Sequence, residues 1–472
     1  MRDDKPALII PVESQVREMD AKLLLACCAA ERGYRVFIGS RAYVHFAMAD
    51  LPVGVYLAKS MRGMSSLMFR IIRGLGHDIA AWEEEALVHP PADIFYSLRL
   101  SPETVRQVSH LFAWGEENRE VMQAYPHFPP GLDVHVTGNP RGDMLRPELR
   151  AFFDDEVRAL RQEFGDFVMI NTNFTDVNPF LPTIGLFVPS SEPGKPEKMG
   201  QAGKGMPREF ATGLRDHKQA ILDDFLAMIP ALEAALPDTR IVLRPHPSED
   251  HAVYHELAAR CARVHVTHRG NVLPWLLACR ALVHNGCTTA VESYAMGVPA
   301  VAYLATCNPA YDYDFQGLPN RLSEECFDLE ALTTTVRAIV AEGRPAATSA
   351  GRDARIDHFI AAREGPLASE RILDQLDAAY PSRSALPAVS PISRARSALL
   401  ARTKALLTRL NMNRPGRNRR AYHDHRFPRL EVADVEARVR RLGATLGRFD
   451  GVRVGRHSEH IFTLDNALEA KR

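Results

Sequence analysis

No stretch of the 472 residues approaches the roughly 18 uninterrupted apolar positions that a membrane-spanning helix requires. The start, Met1-Arg2-Asp3-Asp4-Lys5-Pro6, leads directly into an apolar strand with no signal-peptide pattern, so the chain is expected in the cytoplasm. Cysteine is scarce: Cys27, Cys28, Cys261, Cys279, Cys287, Cys307 and Cys326 include no Cys-x-x-Cys pair, and seven is an odd number. That argues for reduced thiols and against a zinc site. Also missing are a Gly-x-Gly-x-x-Gly behind the first strand and a Gly-x-x-x-x-Gly-Lys-Ser/Thr loop, so nothing supports a dinucleotide or P-loop enzyme. The formal net charge is zero.

What is present is the composition of an ordinary globular protein, 46% hydrophobic and 25% charged, in a chain too long for a single core. Apolar runs alternate with helical periods: Ala7 to Val12, Tyr34 to Gly39, Val53 to Ala58, His77 to Trp82, Leu111 to Gly115 and Val134 to Gly138 read as strands. Strands apolar along their whole length, separated by helices, predict a parallel sheet covered on both faces. The pattern resumes at Phe167 to Asn173, Ile241 to Arg244, Val264 to Val266, Ala281 to Val283 and Val301 to Leu304. The expected domains are 1–146, 147–380 and a basic helical tail, 381–472, with the last helix before the tail crossing back to the first domain. Residues 178–207, rich in Pro, Gly, Ser and Lys and without a usable period, read as a long mobile loop, either a flap over an acceptor or mere disorder.

The stretch His284-Asn285-Gly286-Cys287-Thr288-Thr289-Ala290-Val291-Glu292 reads as strand, tight turn and helix start. Unpaired N–H groups and the positive end of a helix dipole at Thr288 and Thr289 suit a phosphate. The same residues also spell a capping box, with Thr289 as N-cap and Glu292 three positions on. Cys287, at a helix start that lowers thiol pKa, is a candidate nucleophile or a small residue tolerated beside a phosphate. Some forty residues earlier, Arg244-Pro245-His246-Pro247 ends a strand, placing a cation and a proline-held imidazole at a sheet rim, where open α/β folds bind ligands.

The His-Pro strand end and the Gly-Cys-Thr-Thr helix start together resemble the nucleotide half of GT-B glycosyltransferases, in particular bacterial Kdo transferases, sialyltransferases and polyol-phosphate transferases. The resemblance implies that Arg244, His246, Pro247, Asn285, Gly286, Cys287, Thr288, Thr289 and Glu292 bind the nucleotide, with the His-Pro pair and the hydroxyl-bearing turn holding its phosphate. It also implies two Rossmann-like domains facing a cleft.

Glycosyl transfer needs a carboxylate or imidazole near the anomeric carbon. Two strand ends of the first domain offer acids. One is Trp82-Glu83-Glu84-Glu85-Ala86, where mutual repulsion would raise at least one pKa, although a solvated helix N-terminus accounts for the same residues. The other is Glu13, just past the first strand, with Arg17 a turn beyond. With Val136-Thr137-Gly138-Asn139-Pro140-Arg141, these segments resemble bacterial surface carbohydrate biosynthesis proteins over residues 7 to 310, and more faintly around His425-Arg426-Phe427-Pro428. In related transferases an acidic pair of the first domain is the base, which maps onto Glu83, Glu84 or Glu85. Here Glu-Glu-Glu-Ala replaces the Asp-Asp-Gly of the sialyltransferases.

The implied donor is a CMP-linked acidic sugar such as Kdo, passed to a glycan or lipid-linked acceptor without metal or other cofactor. A CDP-polyol phosphate transferase, a GT-B-type sugar-nucleotide epimerase and a non-catalytic membrane-associated assembly protein are the alternatives. Asp312-Tyr313-Asp314 has the look of a Mg²⁺ motif but lies beyond the core strands and reads as a cap. Between Arg383 and Arg429 stand twelve Lys or Arg against one acid, Asp424. Within that segment, Arg394 to Asn411 places Leu399, Leu400, Leu406, Leu407 and Leu410 along one face, as suits an anionic membrane surface or a packed helix. Nucleic acid is disfavoured, since Arg414 to Arg420 has no interleaved aromatics.

Overall fold

The computed structural model describes residues 5–190, 196–312, 317–343, 348–412 and 420–466. The chain divides into two compact units, Met1–Phe152 with Asp357–Arg472, and Phe153–Ile356. Each is a parallel α/β sheet covered by helices, so the chain holds the two Rossmann-like domains expected of a GT-B protein.

In the first unit β1 (Ala7–Val12), β2 (Val36–Ser40), β3 (Gly54–Ala58), β4 (Asp78–Ala81), β5 (His110–Ala113) and β6 (Val134–Val136) run parallel in the order 2-1-3-4-5-6. All six residues of β1 are buried, as an apolar central strand demands. Helix α1 (Gln15–Glu31) follows it, then α2 (Arg41–Ala47) and α3 (Ser66–Leu75). The strand order turns back at β1, whose neighbours are β2 and β3. Such a reversal opens a crevice at the carboxyl ends of the strands, where ligands bind in this class of sheet.

The second unit repeats the logic. β7 (Phe167–Asn171) lies between β10 (Arg240–Arg244) and β12 (Ala281–His284), flanked by β11 (Val264–Val266), β13 (Ala300–Tyr303) and β14 (Glu324–Cys326), all parallel. The reversal falls at β7. The edge strand β14 is only three residues long, and a helix begins at Leu329 directly after it. Residues 178–207 are not a loop without structure. Among the described residues there, β8 (Phe187–Val188) and β9 (Lys198–Met199) form a small hairpin, and Leu186 and Phe187 are buried with Ala211 and Leu214 of α4 (Arg208–Ala235). The apolar residues are too sparse to show a period, yet sufficient to seal the segment onto a helix. Beyond α4, the helix α5 (Thr288–Ala295) follows β12.

The chain then returns to the first unit, as expected, in α6 (Ala368–Ala379). Asp143, just before the expected boundary at 146, receives hydrogen bonds from the Ala368 N–H, the Ser369 N–H (2.9 Å) and the Ser369 hydroxyl (2.7 Å). It therefore caps the returning helix from across the chain. Arg32 of α1 pairs with Asp374 at 2.7 Å and Asp377 at 3.2 Å. Residues 357–380 thus belong with the first unit and not with the second.

The tail is also part of that unit, which corrects its reading as a separate helical appendage. Helix α7 (Pro391–Asn411) packs on α3 and α2, α8 (Val432–Leu446) packs on α1, and β15 (Val452–Ser458) and β16 (Ile461–Asn466) add an antiparallel hairpin to the sheet, β16 beside β2. Ile461, Phe462 and Leu464 are fully buried there. Two-sided cover explains why α1 is apolar nearly all round, with Leu23, Leu24, Leu25 and Ala26 all buried. No helix among the described residues is long and apolar enough to cross a membrane.

Candidate functional site

Both crevices gather sequence-predicted residues. In the first unit Glu13 follows β1 and Lys59 follows β3, and between them lies a knot of charge on α1. Glu18 accepts hydrogen bonds from Lys22 Nζ and Lys59 Nζ, both at 2.7 Å, and from the Glu13 N–H at 2.9 Å. Lys22 also donates to the Pro11 carbonyl at 2.9 Å and lies 3.6 Å from Glu84. Glu13 is 2.9 Å from Lys59 and 3.7 Å from Arg41, and is paired with Arg426 from the tail. Burial raises the Glu13 carboxyl, but Lys59, Arg41 and Arg426 outweigh it and hold the pKa at about 2. The same contest, with Lys22 and Lys59 as partners, leaves Glu18 strongly lowered and Lys59 strongly raised.

The three consecutive acids have three different surroundings. They lie in a turn, not at a helix start, since the next helix begins at Ala92. Glu83 points inward, fully buried, onto Arg99, whose Nε donates to it at 3.0 Å. Burial lifts its pKa to about 7 against that cation. One raised carboxyl was expected here, but it comes from desolvation, with repulsion by Glu85 a lesser cause. Glu84 accepts from Trp82 Nε1 at 2.9 Å and is likewise buried. Glu85 faces outward with a side chain 40% exposed, in a two-point ion pair with Arg17 at 3.1 Å. Burial raises it, yet Arg17 and Arg141 bring it down to about 2. Only Glu13 and Glu85 of the four candidate acids present carboxylate to solvent.

Glu18, Lys22, Lys59 and Arg41 do not stand out in the sequence as site residues, and Arg426 does so only within the faint His425-Arg426-Phe427-Pro428 resemblance, but a signal was present. Lys22 sits in the otherwise apolar run Ala21 to Ala30, four residues after Glu18, and a buried lysine implies a partner.

In the second unit three adjacent strand ends converge. Gly286, at φ 91°, makes the turn after β12. Its N–H donates to His284 Nδ1 at 2.9 Å, so the proton of this buried, neutral imidazole is on Nε2, which donates to Ser323 Oγ at 2.8 Å. Ser323 passes the chain on to the Pro319 carbonyl at 2.8 Å. Burial lowers the His284 pKa to about 3. His284 thus shapes the turn, a role that its place in the strand does not reveal.

Helix α5 starts earlier than the capping-box reading requires. Cys287 is the N-cap, Thr288 and Thr289 are the first helical positions, and no side chain caps the end. The Thr289 hydroxyl instead accepts from Asn171 Nδ2 of β7 at 3.0 Å and shares a hydrogen bond with the Cys287 thiol, while Glu292 is buried. Burial pushes the thiol up to about 11, overriding the helix terminus, which disfavours the thiolate that a nucleophilic Cys287 would need. Asn171 Oδ1 and Asn285 Oδ1 are buried acceptors with no partner among the described residues. Buried orphans of this kind are met by water or a ligand.

His246, after β10, is exposed. Its Nδ1 accepts the Ser248 N–H at 3.2 Å, which places the proton of the neutral ring on Nε2 as a donor. The loop is braced by buried Glu249, which accepts from the His246 N–H at 3.0 Å and from Thr172 Oγ1 at 2.9 Å. Pro247 is exposed beside it. Arg244 is a brace: its guanidinium donates to the carbonyls of Arg269 and Gly270 at 3.0 and 3.3 Å and lies 4.7 Å above the Trp275 ring. Asp312 accepts the Asn308 N–H at 2.6 Å and contacts His217 at 2.7 Å; Tyr313 and Asp314 lie outside the described residues.

No protein-family model matches the chain, and neither does any curated protein. Among solved structures it is similar to the wall teichoic acid polymerase TagF, at 11% identity and a TM-score of 0.47 over 80% of this chain and 90% of that one. It is similar to the UDP-GlcNAc 2-epimerase of Methanocaldococcus jannaschii, at 11% identity and 0.48 over 79% and 99%. A third is a putative UDP-N-acetylglucosamine 2-epimerase from Listeria monocytogenes, at 14% identity and 0.45 over 79% and 96%.

Proposed function

We propose that this protein is a metal-independent glycosyltransferase of surface polysaccharide biosynthesis, acting in the cytoplasm on a nucleotide sugar and a glycan or lipid-linked acceptor. The observation that carries the reading is the convergence of His246, Asn171 and the Gly286–Thr289 turn on the carboxyl ends of β10, β7 and β12, at the reversal of strand order. That corner offers an exposed imidazole, the first N–H groups of a helix and two unmatched amide oxygens. A leaving nucleotide phosphate needs the first two and a base or ribose hydroxyl suits the third.

The first unit holds the candidate bases. Glu13 and Glu85 reach solvent and stay ionised at neutral pH, so either can accept the hydrogen bond of an attacking hydroxyl. Glu83 and Glu84, sealed by Arg99 and by Lys22 with Trp82, position the turn that carries Glu85. The donor favoured by the resemblance is a CMP-linked acidic sugar such as Kdo, and the nearest rival uses a cytidine diphosphate polyol.

A thermal-shift screen of CMP, CDP, UDP and GDP tests the reading, because a ligand at 100 times its Kd adds about 2.7 kcal/mol to stability. CMP is expected to give the largest rise, and an acceptor-free incubation with CMP-Kdo should release CMP slowly. A shift with UDP alone would favour the epimerase, CDP alone the polyol transferase. No shift with any nucleotide would leave the assembly protein.

A further inference from the structure

Helix α7 is packed by the wrong residues for a helix rich in leucine. Its buried positions are Ser397, Ala401 and Ala405, spaced by four and turned to α3 and α2. The approach is close: a Cβ on Gly74 of α3 would stand 2.0 Å from Ser397 Oγ. The large side chains face away. Ile392 is 82% exposed, Leu399 68%, Leu406 58%, Leu407 56% and Leu410 62%. At 3.6 residues per turn Ile392, Leu399, Leu406 and Leu410 fall within about 40° of one line, opposite the packed face.

Cations flank that stripe, Arg402 and Arg409 on one side and Arg396 and Lys404 on the other, while Arg394 falls on the packed face. Residues Pro391–Asn411 contain Arg394, Arg396, Arg402, Lys404 and Arg409 and no acid. Arg402, paired with Asp50 at 2.9 Å, and Arg409, 5.2 Å above the Phe46 ring, line a groove of about 440 Å³ beside Leu406 that also includes Tyr43 and Glu459. A soluble protein does not ordinarily leave a contiguous row of leucines in water. An apolar line between two rows of cations matches an anionic leaflet, with acyl chains under the line and phosphates beside it.

We infer that α7 is a membrane-surface helix, which lays its Ile392, Leu399, Leu406 and Leu410 line, with Leu407 at its flank, into an anionic bilayer while Ser397, Ala401 and Ala405 hold it to the first unit. The occupant is the leaflet, not a second copy of the chain, because Arg396, Lys404 and Arg409, on a helix with no acid of its own, repel their own image. The inference does not depend on the transferase reading.

The test is flotation of the full chain with vesicles of phosphatidylcholine and phosphatidylglycerol at 3:1. The protein is expected to float at 0.05 M salt and to be released as 1 M salt shortens the Debye length to about 3 Å. Leu399→Gln/Leu406→Gln/Leu410→Gln, all at exposed positions, should keep the melting temperature and cut the partition coefficient by about tenfold or more. Arg396→Glu/Lys404→Glu should weaken binding without touching the leucines. Equal flotation on pure phosphatidylcholine, undiminished binding by the triple variant, or no flotation at low salt would each overturn the inference. So would a dimer in solution that the leucine variant splits, since the face would then belong to a second copy.

Discussion

Glu18 and Lys59 meet at 2.7 Å beneath the crevice where β1 and β3 part. Their side chains are 4% and 9% exposed, so the pair holds charge in a place from which water is nearly absent. Lys22 and Glu13 complete the knot at 2.7 and 2.9 Å. Each charge is matched, and the cost of removing one partner falls on those left behind.

Glu18→Gln should therefore destabilise the protein by about 3 kcal/mol at pH 7, because Lys22 and Lys59 both lose their nearest carboxylate, at 2.7 Å, and keep only the charges of Glu84 and Glu13. The folded pKa of Glu18 is lowered, so this contribution is present above the unfolded value of 4.5 and fades as pH falls below it. Urea titrations of both proteins at pH 7 and pH 4 check this. The gap between them should narrow at the lower pH.

His246→Ala should lower turnover by about 10² with the melting temperature unchanged, the scale expected for one lost donor to a developing charge. The ring is exposed and its loop is braced by Glu249, so the fold does not depend on it. Arg244→Met is the contrasting case. It removes two hydrogen bonds to carbonyls and a contact with Trp275, and should reduce stability.

Replacing each carboxylate by its amide separates the four acids. Glu13→Gln or Glu85→Gln should abolish transfer while nucleotide binding persists, whereas Glu84→Gln and Glu83→Gln should chiefly alter stability. Activity and nucleotide thermal shift, measured side by side on all four, decide it. Full activity in both the Glu13 and Glu85 variants would move the base elsewhere.

Buried groups with opposite shifts should shape the acid limb of stability. His284 is held near 3 against an ordinary 6.5, so the folded state resists its protonation, and stability falls as pH drops from 6.5 towards 3. His77, held at about 4 by burial, acts in the same direction. Glu83 opposes them: its pKa of about 7 favours the protonated folded form, so stability falls as pH rises from 4.5 to 7. Melting curves from pH 4 to 8 should show a shallower acid loss for His284→Gln. For Glu83→Gln the acid loss should be steeper, because the opposing slope is gone.

Much of the fold was readable because buried parallel strands are apolar along their length. Ala7 to Val12, Phe167 to Asn171 and Ala281 to His284 announce themselves without any partner being known. The His-Pro and Gly-Cys-Thr-Thr segments were readable for a related reason, since a strand end followed by a turn fixes where such residues must stand. Burial, by contrast, is a sum over partners distant in sequence. Glu83, Glu84 and Glu85 are three identical residues in a row, yet one is sealed at a pKa of about 7 and another held near 2 beside Arg17. Nothing local separates them.

The tail makes the same point in reverse. Its charge and its leucine period were determined by the sequence, and both survive in the structure. Which face of α7 turns inward was not so determined. Hydrophobicity would place the leucines against the core, but Gly74 allows α3 to approach only a helix surface of small side chains, so Ser397, Ala401 and Ala405 take the interface and the leucines are left outside. The hairpin at 452–466 likewise has no parallel-strand signature of its own, and only pairing of β16 with β2 makes Ile461, Phe462 and Leu464 core residues. Local pattern determines the type of each element. The side it shows to the rest of the protein is decided by the surface that receives it, because close packing selects shape as well as polarity.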